Sequence, residues 1–241
     1  METQDQVDAL NASWRAQGAM AIMRHTFENV AVGRVAVTSS FGAESAVLLH
    51  LVSKVNRSVP VFFLDTGKHF KETLAYRDRL VDLFGLRNLM ILKPDIEDLA
   101  SHDPQGILHK SDAEACCEIR KVAPLDKAME GYEAWITGRK RYQNSDREDI
   151  PIFENGRKNK IKINPLANWN PKDVKSYMEW NNIPAHELEA QGYPSIGCEV
   201  CTSRVKEGED SRAGRWRDTE KTECGIHITA DGKIVRTTAS S

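Results

Sequence analysis

Five cysteines hold most of the chemistry available to this sequence. Cys198 and Cys201 form a Cys-x-x-Cys pair behind Gly197, in the stretch Ser195 to Cys201. Cys116 and Cys117 are adjacent, and Cys224 stands alone in Glu223-Cys224-Gly225-Ile226-His227. Two pairs supply four thiolates, a full ligand set for a metal centre, and one thiol is left over. Adjacent cysteines on a helix diverge by about 100°. That suits a cubane cluster, whose ligand positions lie far apart, better than a single tetrahedral ion. The metal reading of Cys116, Cys117, Cys198 and Cys201 therefore favours iron–sulfur over zinc. The competing reading, buried core thiols, sits poorly with the polar Glu118, Arg120 and Lys121 that follow Cys117. Cys224 is the candidate nucleophile, because only a thiolate attacks and nearby cations lower a thiol pKa. Lys121, Arg212, Arg215 and His227 are the candidate cations, and an inert thiol in the tail is the alternative.

Three small-residue loops follow apolar runs: Ser39-Ser40-Phe41-Gly42-Ala43-Glu44-Ser45, Leu64-Asp65-Thr66-Gly67 and Thr137-Gly138. Small residues let backbone N–H groups approach an anion, and a helix N-terminus adds a favourable dipole. The first loop lacks the Gly-Lys-Ser/Thr of a P-loop, and by itself it could be a tight strand-to-helix turn. Three such loops at one sheet edge point to a nucleotide or phosphate ligand at the carboxyl ends of the strands. Arg139, Lys140, Arg141 and Arg147 follow the third loop, and Arg204, Lys206, Arg212, Arg215 and Arg217 follow the Cys-x-x-Cys pair. Charge runs are usually solvated faces. Here both flank candidate anion sites, which favours a polyanionic substrate. RNA is the rival partner, but aromatic residues for base stacking are thinly interleaved.

The elements that must position these residues alternate. Residues 4 to about 29 carry Val7, Leu10, Trp14, Met20 and Met23 at helical spacing. Val35–Val37, Val59–Leu64, Leu89–Leu92 and Ala134–Ile136 read as buried strands. Helices are expected from about Glu44, around Leu74 to Phe84, and from Ala113 to Val122 with the cysteine pair. Residues 142 to 160 read as an exposed loop, and Lys160 to Asn164 as an edge strand. Asn170 with Pro171 marks a helix start, ending near Asn181-Asn182. Asp231-Gly232 between short apolar runs is a hairpin signal. The alternation predicts a doubly wound, mainly parallel α/β sheet. Three parts are expected: an N-terminal helical segment (1–30), a nucleotide-binding domain with the metal site (31–205), and a basic segment with a catalytic tail (206–241).

Composition narrows the class. At 241 residues, 40% hydrophobic and 28% charged, the chain reads as an ordinary globular protein. No apolar run reaches membrane-spanning length. The polar start Met-Glu-Thr-Gln is not an export signal, so a cytoplasmic location with reduced thiols is expected. A net charge of −2 gives no global attraction to nucleic acid or membrane.

Together these residues resemble the sulfonucleotide reductases, specifically the iron–sulfur adenylylsulfate (APS) reductases. The resemblance runs from about Val35 to Arg236. It is carried by the modified PP-loop at Ser39–Ser45, Leu64–Gly67, Cys116-Cys117-Glu118-Ile119-Arg120-Lys121, Thr137-Gly138 with its basic run, Asn164-Pro165-Leu166, the Cys198/Cys201 pair, and Lys221 to His227. Lys140 and Asn144 depart from the family's Thr-Gly-x-Arg-Arg-x-Gln-Ser. The resemblance implies an adenine-nucleotide α-hydrolase-like (PP-loop) fold with a [4Fe-4S] cluster on Cys116, Cys117, Cys198 and Cys201. It implies that Cys224 attacks the sulfur of adenylyl sulfate, with Lys121 and His227 beside it, and becomes an S-sulfocysteine. Ser39, Ser40, Phe41, Gly42, Ser45, Leu64, Thr66, Gly138, Arg141, Arg147, Arg212 and Arg215 would contact substrate. Thioredoxin, or a glutaredoxin-like donor, would release sulfite. No second Cys-x-x-Cys remains for a fused redox domain, so that donor is expected to be a separate protein. The 3′-phosphorylated substrate (PAPS) is the runner-up, a metal-stapled RNA-modifying PP-loop protein the more distant alternative, and a homo-oligomer stays open.

Overall fold

The computed structural model describes residues 2–31, 33–217 and 221–227. The expected Asp231-Gly232 hairpin lies outside them. Six strands form one sheet in the order β3-β2-β1-β4-β6-β5. They are β1 (Val35–Thr38), β2 (Val61–Leu64), β3 (Leu89–Leu92), β4 (Ala134–Ile136), β5 (Phe153–Asn155) and β6 (Ile161–Ile163). All neighbours are parallel except β5 with β6. The helices are α1 (Glu2–Trp14), α2 (Ala19–His25), α3 (Ser45–Val55), α4 (Lys71–Phe84), α5 (Ile96–His102), α6 (Leu108–Ser111), α7 (Ala113–Cys117), α8 (Ala123–Ala128) and α9 (Pro171–Trp180).

Alternation along the strands builds two cores. Val35, Val37, Val61, Phe63, Ile136 and Ile163 face the larger one, with the buried residues of α3. Ala36, Phe62, Leu64 and Trp135 face the other side, against Leu125 and Met129. Successive side chains on a strand point to opposite faces, and a parallel sheet covered on both faces needs both sets apolar. This is why β1, β2 and β4 read as continuous hydrophobic runs.

Two expectations about the second half are corrected. The strand expected at Lys160 to Asn164 is β6, and it is internal, lying between β4 and β5. The edge belongs to β5, inside the stretch expected to be an exposed loop. That stretch also buries Arg147, Ile150 and Ile152. Its three-residue strand is too short to show a period. It is held by a distant partner: Asn11 on α1 donates Nδ2 to Phe153 O at 2.7 Å and accepts Phe153 N–H at 3.0 Å. The N-terminal helix breaks at Gly18, whose backbone is extended, so α1 and α2 are separate. α9 starts as expected. Asn170 Oδ1 accepts the N–H groups of Lys172 and Asp173, and Asp173 Oδ2 accepts the Asn170 N–H at 2.8 Å, a reciprocal cap.

Candidate active site

The chain runs β1, β2, β3 in one direction across the sheet, then returns to place β4 on the other side of β1. This is the topological switch point, where ligands bind outside the carboxyl ends of parallel strands. A cavity of about 720 Å³ lies there, lined by Ser39, Ser40, Gly42 and Ser45 after β1, by Leu64 and His69 after β2, and by Thr137 to Lys140 after β4. Lys121, Arg147, Arg212, Arg215, Cys224 and His227 line it as well.

The loop after β1 is shaped by its own side chains. Ser39 Oγ accepts the Phe41 N–H at 3.2 Å, and Ser40 Oγ lies 3.2 Å from Ser45 Oγ. Phe41 holds a left-handed backbone, φ 49°, while its ring is fully buried edge-on to Phe63. That backbone is costly for a bulky residue, and burial of the ring offsets the cost. Gly42 faces the Cys198 loop: a Cβ there would stand 3.1 Å from the Ile196 carbonyl oxygen. The two loops therefore meet backbone to backbone.

The cysteines converge from three segments. α7 is capped by Asp112, whose carboxylate accepts the Ala115 N–H at 2.8 Å. Past Cys117 the helix widens into a π turn (Glu118–Val122) and then continues as α8. Such widenings concentrate at functional sites. Arg120, in this turn, donates to Thr66 O at 2.8 Å and to Asp103 Oδ2 at 2.6 Å, tying the cysteine helix to the loop after β2. Thr66 Oγ1 is in turn 3.3 Å from Cys198 Sγ, and the Glu199 N–H reaches Lys68 O at 2.8 Å. Cys116, Cys117 and Cys198 are buried, Cys201 and Cys224 half-buried. Cys116, Cys198 and Cys201 lie within electrostatic reach of one another. Among the described residues, no three His, Cys, Asp or Glu side chains are drawn around a point as for a single metal ion.

The charges fit a reactive thiolate. A hydrogen bond from the Cys117 thiol, with the Lys121 ammonium, holds Cys224 well below the usual thiol range despite burial. With Cys117 bound to a metal as thiolate, that donor is lost and Lys121 is the contribution that remains. Burial disfavours a charged Lys121, but the Cys224, Cys198 and Cys117 sulfurs outweigh burial and raise its pKa. Burial keeps His227 neutral, with Lys162 and Arg139 adding to the effect. Arg215 lies over the Trp216 ring at 4.4 Å and against Gly197, where a Cβ would stand 2.2 Å from Nη2. A side chain at position 197 would displace the guanidinium from this place.

Among the residues expected at substrate, Ser39, Ser40, Gly42, Ser45, Leu64, Gly138, Arg147, Arg212 and Arg215 line the cavity. Phe41, Thr66 and Arg141 do not. Phe41 shapes the loop, Thr66 meets Cys198 Sγ, and Arg141 donates to Ile150 O at 2.9 Å and to Asn168 Oδ1 at 2.7 Å. The basic run after β4 is turned inward. Arg139 pairs with Glu154 and donates to Asn164 Oδ1 at 3.3 Å. Lys140 donates to Glu44 Oε2 at 2.9 Å and Gly138 O at 3.1 Å. Sequence reasoning assigned no role to Glu44, which also accepts from Tyr142 and from Gln143 Nε2, or to Glu223, which pairs with Arg147. The signal for both was excess positive charge in the motifs with no anion named to balance it.

A family profile described as the phosphoadenosine phosphosulfate reductase domain matches residues 34–204. A Chelativorans sp. (strain BNC1) protein named adenosine 5′-phosphosulfate reductase is 54% identical over 196 residues, 81% of this chain and 80% of that one. An Oceanobacillus iheyensis protein of the same name is 41% identical over 216 residues, 88% and 89% of the two chains. The crystal structure of a phosphoadenylyl-sulfate (PAPS) reductase from Candida auris, in a phosphate complex, superposes with a TM-score of 0.70 at 30% identity, covering 84% of this chain and 97% of that one. FMN adenylyltransferase from Candida glabrata, solved with FMN and the ATP analog AMPCPP, shares the fold at a TM-score of 0.54 and 15% identity, over 93% of this chain and 88% of that one. With a small-residue loop after β1 at the switch point and a cysteine lining the same cavity, this PP-loop α/β chain belongs to the phosphoadenosine phosphosulfate reductase family.

Proposed function

We propose that this chain reduces adenylyl sulfate to sulfite and AMP, through an S-sulfocysteine on Cys224, with thioredoxin as the electron donor in assimilatory sulfate reduction. The observation that carries the reading is Cys224 inside the switch-point cavity beside Lys121, with Arg212 and Arg215 on the same wall. The loop from Ser39 to Ser45 and the α3 N-terminus would hold the nucleotide phosphate. Lys121 would keep Cys224 ionised, and Arg212 and Arg215 would receive the sulfate oxygens. Cys224 Sγ would attack the sulfur, and the S–O bond to the phosphate would break with its electron pair leaving on AMP. The product is Cys–S–SO₃⁻. A thioredoxin thiolate would then attack Cys224 Sγ and expel sulfite, and its second thiol would resolve the mixed disulfide and free Cys224.

Cys116, Cys117, Cys198 and Cys201 would hold a [4Fe-4S] cluster. Support comes from the donor chemistry: four soft thiols, three of them buried, brought from α7 and the Cys198 loop, with Lys121 close to Cys117 and Cys198. When bound, the cluster supplies a fixed negative charge next to Lys121. The residues expected to act on substrate do so without an electron passing through iron.

The partners of the basic run favour APS over PAPS. Arg139, Lys140 and Arg141 would be the obvious receptors for a 3′-phosphate, and all three already serve Glu154, Glu44, Asn168 or backbone carbonyls. The test is kcat/KM for both nucleotides with the holoenzyme, together with intact-protein mass spectrometry after APS without reductant. APS should be preferred at least tenfold, about 1.4 kcal/mol, and one SO₃ should map to Cys224. Equal use of PAPS would refute the substrate assignment. An adduct on another cysteine, or none, would refute the mechanism.

A further inference from the structure

Glu223 lines the switch-point cavity beside Arg147 and Arg212, and the mechanism above gives it no task. It is 3% exposed. Both of its oxygens are taken by one guanidinium: Arg147 Nε donates to Oε2 at 2.5 Å and Nη2 to Oε1 at 2.7 Å. Oε1 also accepts the N–H of Cys224 at 2.8 Å and lies 3.9 Å from Arg212 Nη2. The preceding residue is gripped as well. Thr222 O accepts from Asn144 Nδ2 and from Arg212 Nη2, each at 3.3 Å.

We propose that Glu223 is a positioning residue: with Arg147 it forms a latch that closes the Cys224 segment over the cavity and fixes the thiol in its attacking position. Three observations carry this. The bidentate pair sets both the distance and the rotation of the segment, which a single hydrogen bond does not. The Cys224 N–H is bound by the same carboxylate, so the backbone of the reactive residue is part of the latch. Arg147 is also the hinge of a relay into the nucleotide loop. Its Nη1 donates to Gln143 Oε1, and Gln143 Nε2 donates to Glu44 Oε2 at 2.8 Å, at the start of α3. Opening the latch frees Cys224 for a reductant, and closing it returns the thiol to the wall that faces the sulfate. Burial opposes a charged Glu223, but Arg147, by charge and hydrogen bond, and Arg212 hold its carboxyl ionised, so the latch is charged at neutral pH.

This inference rests on the proposed reaction, and the experiment separates the two. Holoenzyme with wild-type Glu223, Glu223→Gln and Glu223→Asp is mixed with saturating APS and no reductant, and the S-sulfocysteine is timed by intact mass. Cys224 alkylation by iodoacetamide is timed in resting holoenzyme at pH 8.5, where a solvated thiol is about half ionised and access sets the rate. In Glu223→Gln, adduct formation should slow at least tenfold, with AMP affinity changed less than threefold. Alkylation of Cys224 should speed up at least tenfold. A residue that only supported the fold would not move the two rates in opposite directions. A wild-type adduct rate in Glu223→Gln overturns the inference. So does a lower KM for APS with faster adduct formation, because Glu223 would then be competing with substrate for Arg147. If Glu223→Gln loses its cluster absorbance, Glu223→Asp, which keeps the charge but shortens the reach, is judged by the same two rates. A wild-type enzyme that forms no adduct refutes the proposed reaction instead.

Discussion

Lys140 separates a structural brace from a phosphate receptor. Its side chain is 1% exposed, and its ammonium donates to Glu44 Oε2 at 2.9 Å and to Gly138 O at 3.1 Å. Lys140→Met keeps most of the buried stem and removes the charge. Breaking a buried pair by removing one partner costs about 3–5 kcal/mol. Here the figure is lower, because Glu44 is 29% exposed and retains donors from Tyr142 and Gln143. About 2–3 kcal/mol of stability is expected to go. For a chain of this size each kcal/mol shifts Tm by about 2–4 °C, so Tm should fall by about 5–10 °C. Because Glu44 sits at the start of α3, kcat/KM should fall for both nucleotides together, with their ratio unchanged within about twofold. Calorimetry and parallel kinetics with APS and PAPS measure both effects. Had Lys140 received a 3′-phosphate, the lost charged hydrogen bond would be worth about 1.5–3 kcal/mol and would lower PAPS turnover alone by tenfold or more. That pattern, with an unchanged Tm, would refute the brace.

Two further outcomes are expected. Lys121→Ala should retain the cluster yet lower kcat/KM for APS by about 10² or more, the scale for losing a preorganised charge; a wild-type rate in the cluster-loaded variant would exclude a role for the lysine. Stability should depend on His186 at mildly acid pH. The His186 ring accepts the Leu188 N–H at Nδ1, 3.2 Å, leaving Nε2–H for Thr73 Oγ1 at 3.2 Å, and burial pulls its pKa down to about 4. The unfolded chain takes up a proton near pH 6.5 and the folded one does not. The neutral-ring contribution is therefore complete above about pH 6.5 and is lost as pH falls toward 4, by at most about 1.4 kcal/mol per pH unit. Urea midpoints across that range should show a flatter slope in His186→Gln; equal slopes would count against it.

The parallel sheet was legible in the sequence because strands covered on both faces need uninterrupted apolar runs, and Val35–Val37, Val61–Leu64 and Ala134–Ile136 are such runs. The cysteine pairs and the small-residue loops were legible for a related reason: metal and anion chemistry restrict residue type and local spacing. Local rules could not say where a charge would be spent. Arg139, Lys140 and Arg141 look like one basic patch in the chain, yet the fold sends them to Glu154, Glu44 and Asn168, from 15 to 96 residues away. Glu223 and Arg147 are 76 residues apart. β5 depends on Asn11, 142 residues distant in sequence from Phe153. An ion pair, or a three-residue edge strand, is set by what lies opposite it in space. The residue types determined which chemistry was available, and the tertiary structure decided which cations face the cavity and which are consumed in building it.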